Sequence, residues 1–181
     1  MNFQNLHILG ELKEELLYRI LYSTDASTYR EMPIAVAYPK DSSDVQKISD
    51  FARKNQINLI PRAGGTSLAG QVVGKGLVVD ISKYMNHILE INQEERWVRV
   101  QPGVVLDELN LYCKPYGLFF GPETSTSNRC CLGGMVGNNS CGSHSLVYGS
   151  TRDHLLEANV VLSDGSEAVS YTHLRAHETP E

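Results

Sequence analysis

The sequence lacks the features that mark membrane-spanning and nucleic-acid-binding proteins. Its 181 residues include 16 Lys and Arg against 21 Asp and Glu, a net charge of −5, and no basic stripe follows the chain as phosphate binding would require. No apolar run approaches the length of a bilayer span, and the N-terminus has no signal-peptide pattern. We expect a cytoplasmic protein with no nucleic-acid partner and no membrane span, with attachment to the inner face of the membrane as the alternative.

Cysteine is also scarce. The chain has four cysteines, Cys113, Cys130, Cys131 and Cys141, and none of them is spaced as C-x-x-C. A zinc or iron–sulfur site within this chain is therefore not expected, and buried free thiols in a reducing compartment are the preferred interpretation. Cys141 lies in a glycine-rich segment that could approach a ligand, although a packed thiol is favoured there too.

Glycine, by contrast, is concentrated in two places, and the first is residues 61–71, PRAGGTSLAGQ. This segment, which we call the cradle, follows the apolar run 57–60 and alternates glycine with hydroxyl side chains. Glycine permits positive φ and a close approach of backbone N–H groups to a ligand, and several such amides form an anion site suited to a pyrophosphate. The glycines alone would favour a surface turn; the hydroxyls directly after a buried strand favour phosphate binding.

The cradle does not match the common phosphate-binding loops. A P-loop ends in Gly-Lys-Ser/Thr, but Gly70 is followed by Gln71. The dinucleotide fingerprint needs Gly-x-Gly-x-x-Gly at the start of a helix, and the cradle glycines do not have that spacing. A phosphate site of another design is therefore predicted.

The pattern around the cradle predicts a βαβ unit. Strands are expected at 34–38, 57–60 and 77–81, with a helix from a capping box at Ser43–Gln46 to about residue 54. The strands on either side of this helix should be parallel, which places the cradle beyond a carboxyl end, where ligands bind in such sheets. An amphipathic helix over 10–22 should precede this unit, with a loop whose Asp25, Ser27 and Tyr29 could touch a ligand, although a solvated loop is preferred.

The second half predicts antiparallel pairs and one further helix. A hairpin is expected from 88–91 and 97–101, with Trp97 as a core anchor, and a helix should start at Leu106 and end before Pro115. A strand over 155–162 leads to Asp164-Gly165, a strong hairpin turn, after which a return strand should begin at 167–169. The last residues lack periodicity and look like a foreign or frame-shifted extension, with a disordered tail as the alternative. We therefore divide the chain into an N-terminal helix and loop, 1–30, a domain, 31–168, and a tail, 169–181.

The second glycine-rich segment, residues 121–154, begins GPETSTSNRCCLGGMVGNNSCGS. Glycines at this density let a backbone or a short helix press against a flat ligand, while neutral amides and hydroxyls supply hydrogen bonds. Apolar residues between the glycines argue against simple disorder. His144 and His154 are expected near the surface rather than as metal ligands.

These motifs, in this order, resemble the FAD-binding domain of the vanillyl-alcohol-oxidase-type (PCMH-type) flavoproteins. The resemblance rests on the cradle, GLVVDIS, VQPG and GPETST…GGMVGNNSCGS…YGSTRDH…VVLSDG, and covers residues 20–168. It implies an α+β fold of two lobes, a small parallel βαβ lobe and a second, mixed or antiparallel lobe that is incomplete at the C-terminus, with FAD between them.

The same resemblance implies the cofactor-binding residues. The cradle would hold the pyrophosphate, the segment after Gly121 would approach the flavin and ribityl chain, and the second lobe would pack against the cofactor, with one residue near the adenine. In chain order these residues are Pro61, Arg62, Ala63, Gly64, Gly65, Thr66, Ser67, Gln71, Pro122, Glu123, Thr124, Ser125, Gly133, Gly134, Asn138, Ser140, Gly142 and Val160. Some relatives attach FAD to a histidine where this chain has Thr66, so non-covalent FAD is expected.

Within that superfamily the chain is most similar to FAD-linked D-lactate and glycolate dehydrogenases, in particular to long forms fused to an iron–sulfur half. This implies oxidation of a D-2-hydroxy acid, such as D-lactate, glycolate or D-2-hydroxyglutarate, by hydride transfer to FAD. The substrate-binding cap, the catalytic groups and any iron–sulfur ligands would lie beyond this chain, so no catalytic residue is predicted, and the electron acceptor stays open between an iron–sulfur domain, a quinone and a cytochrome. The alternatives are a non-catalytic FAD- or nucleotide-binding module and an inactive fragment.

Overall fold

The computed structural model describes residues 3–171. The strands are β1 (Glu11–Lys13), β2 (Ala35–Tyr38), β3 (Leu59–Arg62), β4 (Leu77–Asp80), β5 (Ile88–Asn92), β6 (Trp97–Val100), β7 (Glu157–Val161) and β8 (Glu167–Tyr171). The α-helices are α1 (Leu16–Leu21), α2 (Ser42–Asn55), α3 (Leu106–Cys113), α4 (Leu132–Asn138) and α5 (Ser145–Tyr148), and 3₁₀ turns occupy Lys114–Tyr116 and Thr151–His154. Within this range no helix is both long and apolar enough to cross a bilayer.

The first lobe is a four-stranded sheet in the order β1-β2-β4-β3. β2, β4 and β3 are parallel, with Val36 opposite Val78 and Val78 opposite Ile60, and β1 pairs antiparallel with β2. The predicted parallel βαβ unit is confirmed. Its two strands are not neighbours, however, because β4 lies between them.

The N-cap of helix α2 lies two residues before the predicted cap, Ser43. Asp41 is the N-cap, and its side chain accepts a hydrogen bond of 2.9 Å from the Asp44 N–H, which satisfies one of the free donors of the first turn. The helix ends at Asn55, and the left-handed conformation of the C-cap residue Gln56 (φ 54°) closes the last turn. Its inward face buries Ile48 and Phe51, so α2 covers one side of the sheet.

The sheet is covered on both faces by its own chain. On the α2 side, Ala35, Ala37, Ile48 and Leu77 lie in one cluster, joined by the N-terminal Phe3. The opposite face is aromatic, because its buried strand residues are packed against a set of tyrosines comprising Tyr18, Tyr22 and Tyr84. All four positions of β2 and of β4 are buried, as expected for central strands covered on both sides.

The N-terminal prediction is corrected by the structure. Residues 11–13 form the edge strand β1, and helix α1 starts only at Leu16 and contains no buried residue. Asp44, itself fully buried, holds the preceding turn by accepting the N–H groups of Leu9 and Gly10, each at 2.8 Å. Burial opposes ionisation of Asp44, but these backbone donors and that of Lys40 bring its pKa below the usual range.

The remaining elements are α3, α4 and two antiparallel hairpins, β5–β6 and β7–β8. Leu106, Leu109 and Met135 form a second core, with Val98 and Val100 packed against it as predicted. Trp97, the predicted anchor, is only half-buried and donates its Nε1–H to Glu95 at 2.7 Å. The return strand β8 runs to Tyr171, past the start of the predicted tail; residues 172–181, with His173 and His177, lie outside the described residues.

Candidate functional site

The cradle begins where β3 ends. The Arg62 carbonyl accepts the Ile81 N–H at 3.1 Å, and the chain then turns through Gly65 and Gly70, whose φ angles are +63° and +73°. Within the described chain, the N–H groups of Gly65, Thr66 and Ser67 donate to no protein acceptor. Three successive free amides, the first at a left-handed glycine, are donors of the kind that bind anions in backbone nests.

The Arg62 side chain turns beneath the cradle. Its guanidinium lies 5.0 Å from the centre of the Tyr22 ring and donates to the carbonyls of Tyr22 and Val72 at 3.5 and 3.4 Å. The Tyr22 hydroxyl in turn donates to Asp80 at 2.5 Å, and burial together with this carboxylate raises the pKa of Tyr22. The guanidinium thus braces the cradle through a group of side chains that sequence reasoning missed, because Tyr22 and Asp80 are far apart in the chain.

The loop before β2 forms one wall of the cradle. The Ala26 N–H donates to the Gly65 carbonyl at 3.1 Å, and a Cβ placed on Gly70 would lie 2.6 Å from the Tyr29 ring. Most residues of this loop are exposed, as the preferred interpretation of a solvated loop expects, but the loop also contacts the cradle. The contacts join residues about forty positions apart, which leaves no local sequence signal.

The second glycine-rich segment meets the cradle from the other side. A Cβ on Gly64 would lie 2.2 Å from the carbonyl oxygen of Arg129, so only glycine permits this approach. Gly134 of α4 faces Ala63, with the two β positions 3.6 Å apart. The Gly133 N–H donates to the Pro102 carbonyl at 2.8 Å, which fixes the start of α4 beside the cradle.

A buried thiol lies at the same junction. The Gly64 N–H is directed at the sulfur of Cys131, whose pKa is raised to about 11 by burial first and then by Cys130 and Asp80. Cys131 therefore stays protonated at neutral pH. Cys113 and Cys130 are also buried, as predicted, but Cys141 is exposed, contrary to the expected packed thiol.

The predicted flavin-side residues form a connected group. A Cβ on Gly142 would lie 2.4 Å from the Glu123 carbonyl oxygen, and the Glu123 carboxylate accepts Ser143 Oγ–H at 2.7 Å and pairs with exposed His144 at 2.6 Å. The Ser143 hydrogen bond and the charge of His144 lower the pKa of Glu123. Thr124 lies 3.2 Å from the Cys130 sulfur.

Other predicted residues are more loosely placed. Pro61 lies at an exposed position of β3, Gln71 is exposed after Gly70, Pro122 is buried and Ser125 is exposed. The Ser140 carbonyl accepts the Thr151 hydroxyl at 2.7 Å, while Asn138 is exposed at the end of α4. Val160 stands apart on β7, whose hairpin contacts α2 through Ser49.

Most of these residues offer neutral donors and small side chains, and the two charged ones, Arg62 and Glu123, have partners within the protein. No group of His, Cys, Asp or Glu within residues 3–171 could hold a metal ion. Backbone amides and hydroxyls at a glycine-lined junction fit a diphosphate and a flat ring system, which agrees with the chemistry that the sequence predicts.

Comparison with curated proteins gives D-2-hydroxyglutarate dehydrogenases and a glycolate oxidase subunit among the relatives. The chain is 47% identical over 165 residues to D-2-hydroxyglutarate dehydrogenase of Pseudomonas putida, covering 90% of this chain and 16% of that protein. It is 36% identical over 149 residues to "Glycolate oxidase subunit GlcD" of Bacillus subtilis, covering 81% of this chain and 32% of that protein. The chain thus spans about a sixth of the length of the D-2-hydroxyglutarate dehydrogenases that it matches.

Solved structures share the fold. The crystal structure of 6-hydroxy-D-nicotine oxidase from Arthrobacter nicotinovorans superposes with a TM-score of 0.83 at 22% identity, over 97% of this chain and 38% of that one. An alkyldihydroxyacetonephosphate synthase gives a TM-score of 0.80 at 20% identity, over 94% and 33%. This confirms the predicted α+β fold class. The model of the FAD binding domain family matches residues 33–169, and the chain therefore belongs to that family.

Proposed function

We propose that this chain binds FAD non-covalently, with the diphosphate held by the backbone amides of the cradle and the flavin half directed towards the segment after Gly121. The observation that carries this proposal is the run of free N–H groups at Gly65, Thr66 and Ser67. These N–H groups belong to a segment that contacts the Asp25 loop and helix α4, and having no acceptor within the described residues leaves them available to a ligand. Hydrogen bonds from neutral donors to an anion are strong.

Each element of the chain has a distinct task in this proposal. Arg62 holds the cradle from below rather than by contact with the phosphates, because its guanidinium is engaged with Tyr22. Gly64 brings the cradle within contact of Arg129 and Cys131, which keeps the two lobes together. Gly133 and Gly134 present a helix face without side chains, and the Glu123–Ser143–His144 group fixes the neighbouring turn.

We further propose that the parent protein oxidises a D-2-hydroxy acid. The relatives named as D-2-hydroxyglutarate, glycolate and D-lactate enzymes support this substrate class, and the higher identity to the first makes D-2-hydroxyglutarate the first substrate to test. FAD, when bound, supplies the acceptor for the hydride of the hydroxyl-bearing carbon. The substrate-binding and proton-accepting groups are assigned to the part of the parent beyond this chain, as is the electron acceptor.

A visible absorption titration of the purified chain with FAD tests the cofactor proposal. We expect a flavin band that stays with the protein through gel filtration and is released into the supernatant by acid, because Thr66 offers no covalent attachment. A folded, monodisperse chain that takes up no flavin would contradict the proposal. For the substrate, the full-length parent is assayed with D-2-hydroxyglutarate, D-lactate and glycolate and an artificial electron acceptor; turnover of none of them would leave a FAD-binding module without this activity.

A further inference from the structure

Helix α1 presents an apolar surface that the described part of the chain leaves open. None of its side chains is buried within residues 3–171. Four aliphatic side chains keep between 41% and 64% of their surface exposed, and we call them the aliphatic band: Leu16, Leu17, Ile20 and Leu21. They form two i, i+4 pairs in neighbouring rows of the helix, so they lie side by side. Single exposed leucines are ordinary, but a contiguous exposed group marks an interaction surface.

The other side of α1 is attached to the sheet. Tyr18 and Tyr22, which are also spaced i, i+4, pack against the buried residues of its aromatic face. Arg19 Nε–H donates to the Pro33 carbonyl at 2.8 Å, and the Tyr22 hydroxyl donates to Asp80. The helix is therefore held in one orientation, and a partner of the aliphatic band meets a preformed surface.

The charges beside the aliphatic band narrow the class of partner. Glu14 and Glu15 are exposed directly before the helix, and the preceding Lys13 pairs with Glu11 at 3.0 Å. Helices that lie on anionic lipid surfaces carry Lys and Arg along their polar face, which is the opposite pattern. The charges therefore favour a protein surface that is apolar at its centre and has Lys or Arg at its edge.

The lengths of the matches to relatives indicate which protein surface this is. The family model begins at residue 33, so α1 lies before it. The match to the Pseudomonas putida dehydrogenase covers 90% of the chain and leaves out about 18 of the 181 residues, so it must include part of the segment 1–32. The match to the Bacillus subtilis subunit covers 81% and leaves out about 34 residues, which is enough to omit that segment.

We propose that the aliphatic band is the docking surface for the part of the parent protein that its long relatives have and its shorter relatives lack. This chain covers 16% of the long dehydrogenase and 32% of the shorter subunit, so the long protein has much more polypeptide outside the matched segment. The inference rests on a parent of that length and does not depend on FAD binding.

Hydroxyl-radical labelling read by mass spectrometry tests the inference on the wild-type protein. Labelling of Leu16, Leu17 and Leu21 is compared between this chain and the full-length parent, both without FAD and at concentrations where sedimentation shows monomers. We expect labelling to fall about fivefold or more in the parent, because side chains at the centre of an interface are almost fully buried. Leu111 of α3, which is 72% exposed, is the matched control and should be labelled equally in both. Equal labelling of the band in chain and parent, or equal protection of Leu111, would overturn the inference.

A double substitution in the full-length parent, Leu17→Glu with Leu21→Glu, tests the same contact from the side of the band. Two carboxylates placed in an apolar interface would be buried without partners and should open it. Labelling of Leu16 in this variant should return to within about twofold of its level in the isolated chain, where the band is exposed to solvent. The Leu111→Glu parent is the control and should keep Leu16 protected. Unchanged protection of Leu16 in the double variant would contradict the inference.

Other occupants of the aliphatic band would give different results in the same measurement. A second copy of the protein would protect the band only at concentrations where sedimentation shows a dimer. A lipid surface would protect it only when vesicles of phosphatidylglycerol and phosphatidylethanolamine are added, and FAD would protect it in this chain as well. Each of these three results would overturn the inference. Failure of the chain to bind FAD would overturn the cofactor proposal alone, because the labelling comparison is made without FAD.

Discussion

The sheet of the first lobe and the β7–β8 hairpin bury their side chains very differently. Every position of β2 and β4 is buried, whereas the positions of β7 and β8 are exposed or half-buried. The sheet is enclosed by α2 on one face and by tyrosines on the other, while the hairpin is held to α2 by contacts such as those from Ser49 to the Leu162 and Ser163 carbonyls. The difference indicates that the sheet contributes much of the stability of the first lobe, whereas the β7–β8 hairpin contributes little.

Breaking the contact between the cradle, which follows the sheet, and the second glycine-rich segment should have the largest effect. Gly64→Val places side-chain atoms where the Arg129 carbonyl lies, 2.2 Å from the new Cβ, and backbone on both sides cannot yield. We expect FAD affinity to fall by more than about 100-fold, as steric exclusion from a close backbone contact predicts. Flavin fluorescence titration measures it.

The control for this variant is Gly117→Ala. Gly117 has positive φ, and within the described residues nothing lies within 4 Å of its Cβ position. The strain should cost some stability and leave FAD affinity unchanged. A Gly64→Val chain with wild-type affinity would mean that the cradle is not the site.

Truncating a side chain in the core of the sheet should reduce the free energy of unfolding more than truncating one in the β7–β8 hairpin. Ile48→Ala empties a fully buried position against the sheet and should reduce the free energy of unfolding by about 2–5 kcal/mol. Val169→Ala removes a side chain that is 47% exposed on β8 and should change it by less than about 1 kcal/mol. Urea unfolding followed by circular dichroism measures both, and equal losses would remove the distinction between the two regions.

Lowering the pH should destabilise the first lobe, because Asp44 becomes protonated. Its pKa is lowered in the folded chain by the backbone donors of Leu9, Gly10 and Lys40, so its contribution is complete above the unfolded value of about 3.9 and is lost as pH falls through the folded pKa. Asp44→Asn should lower stability at neutral pH by about 1–3 kcal/mol, because one N–H acceptor site becomes a donor. The variant should also lose less stability than the wild-type chain as the pH falls below about 4.

Urea midpoints between pH 3 and pH 7 test this prediction. The exposed Asp164→Asn variant is the control and should follow the wild-type curve more closely. An Asp44→Asn chain with an unchanged pH dependence would show that other carboxyl groups dominate the acid response.

The smallest effect is expected on the open face of α4. Within the described part of the chain, a Cβ at Gly137 would meet nothing within 4 Å. Gly137→Ala should therefore stabilise the FAD-free chain by about 0.5–1 kcal/mol through helix propensity. Thermal unfolding measures this gain, and a loss of stability would indicate a contact on that face.

Local patterns predicted the parallel βαβ unit, α3 and both hairpins, because helix caps, turns and periodicity depend on residues that are close together in the sequence. The position of β4 between β2 and β3 was not predictable, since strand order depends on packing across the whole lobe. Periodic leucines misled the prediction for 10–22, where pairing of β1 with β2 and the Asp44 hydrogen bonds prevail. In the site, the cradle was found from its glycines, but Tyr22, Asp80 and the Asp25 wall act through contacts of long sequence separation.

The placement of β4 also bears on how the chain matures during synthesis. β2 and β3 leave the ribosome before β4, yet neither pairs with the other in the finished sheet. The sheet therefore cannot form completely until β4 has emerged from the ribosome. Until then β2 and β3 each have an apolar edge without its pairing strand. Unpaired apolar strands of this kind are bound by chaperones and misassemble when translation stalls. A pause in translation just after the cradle would therefore be more harmful than a pause after β4.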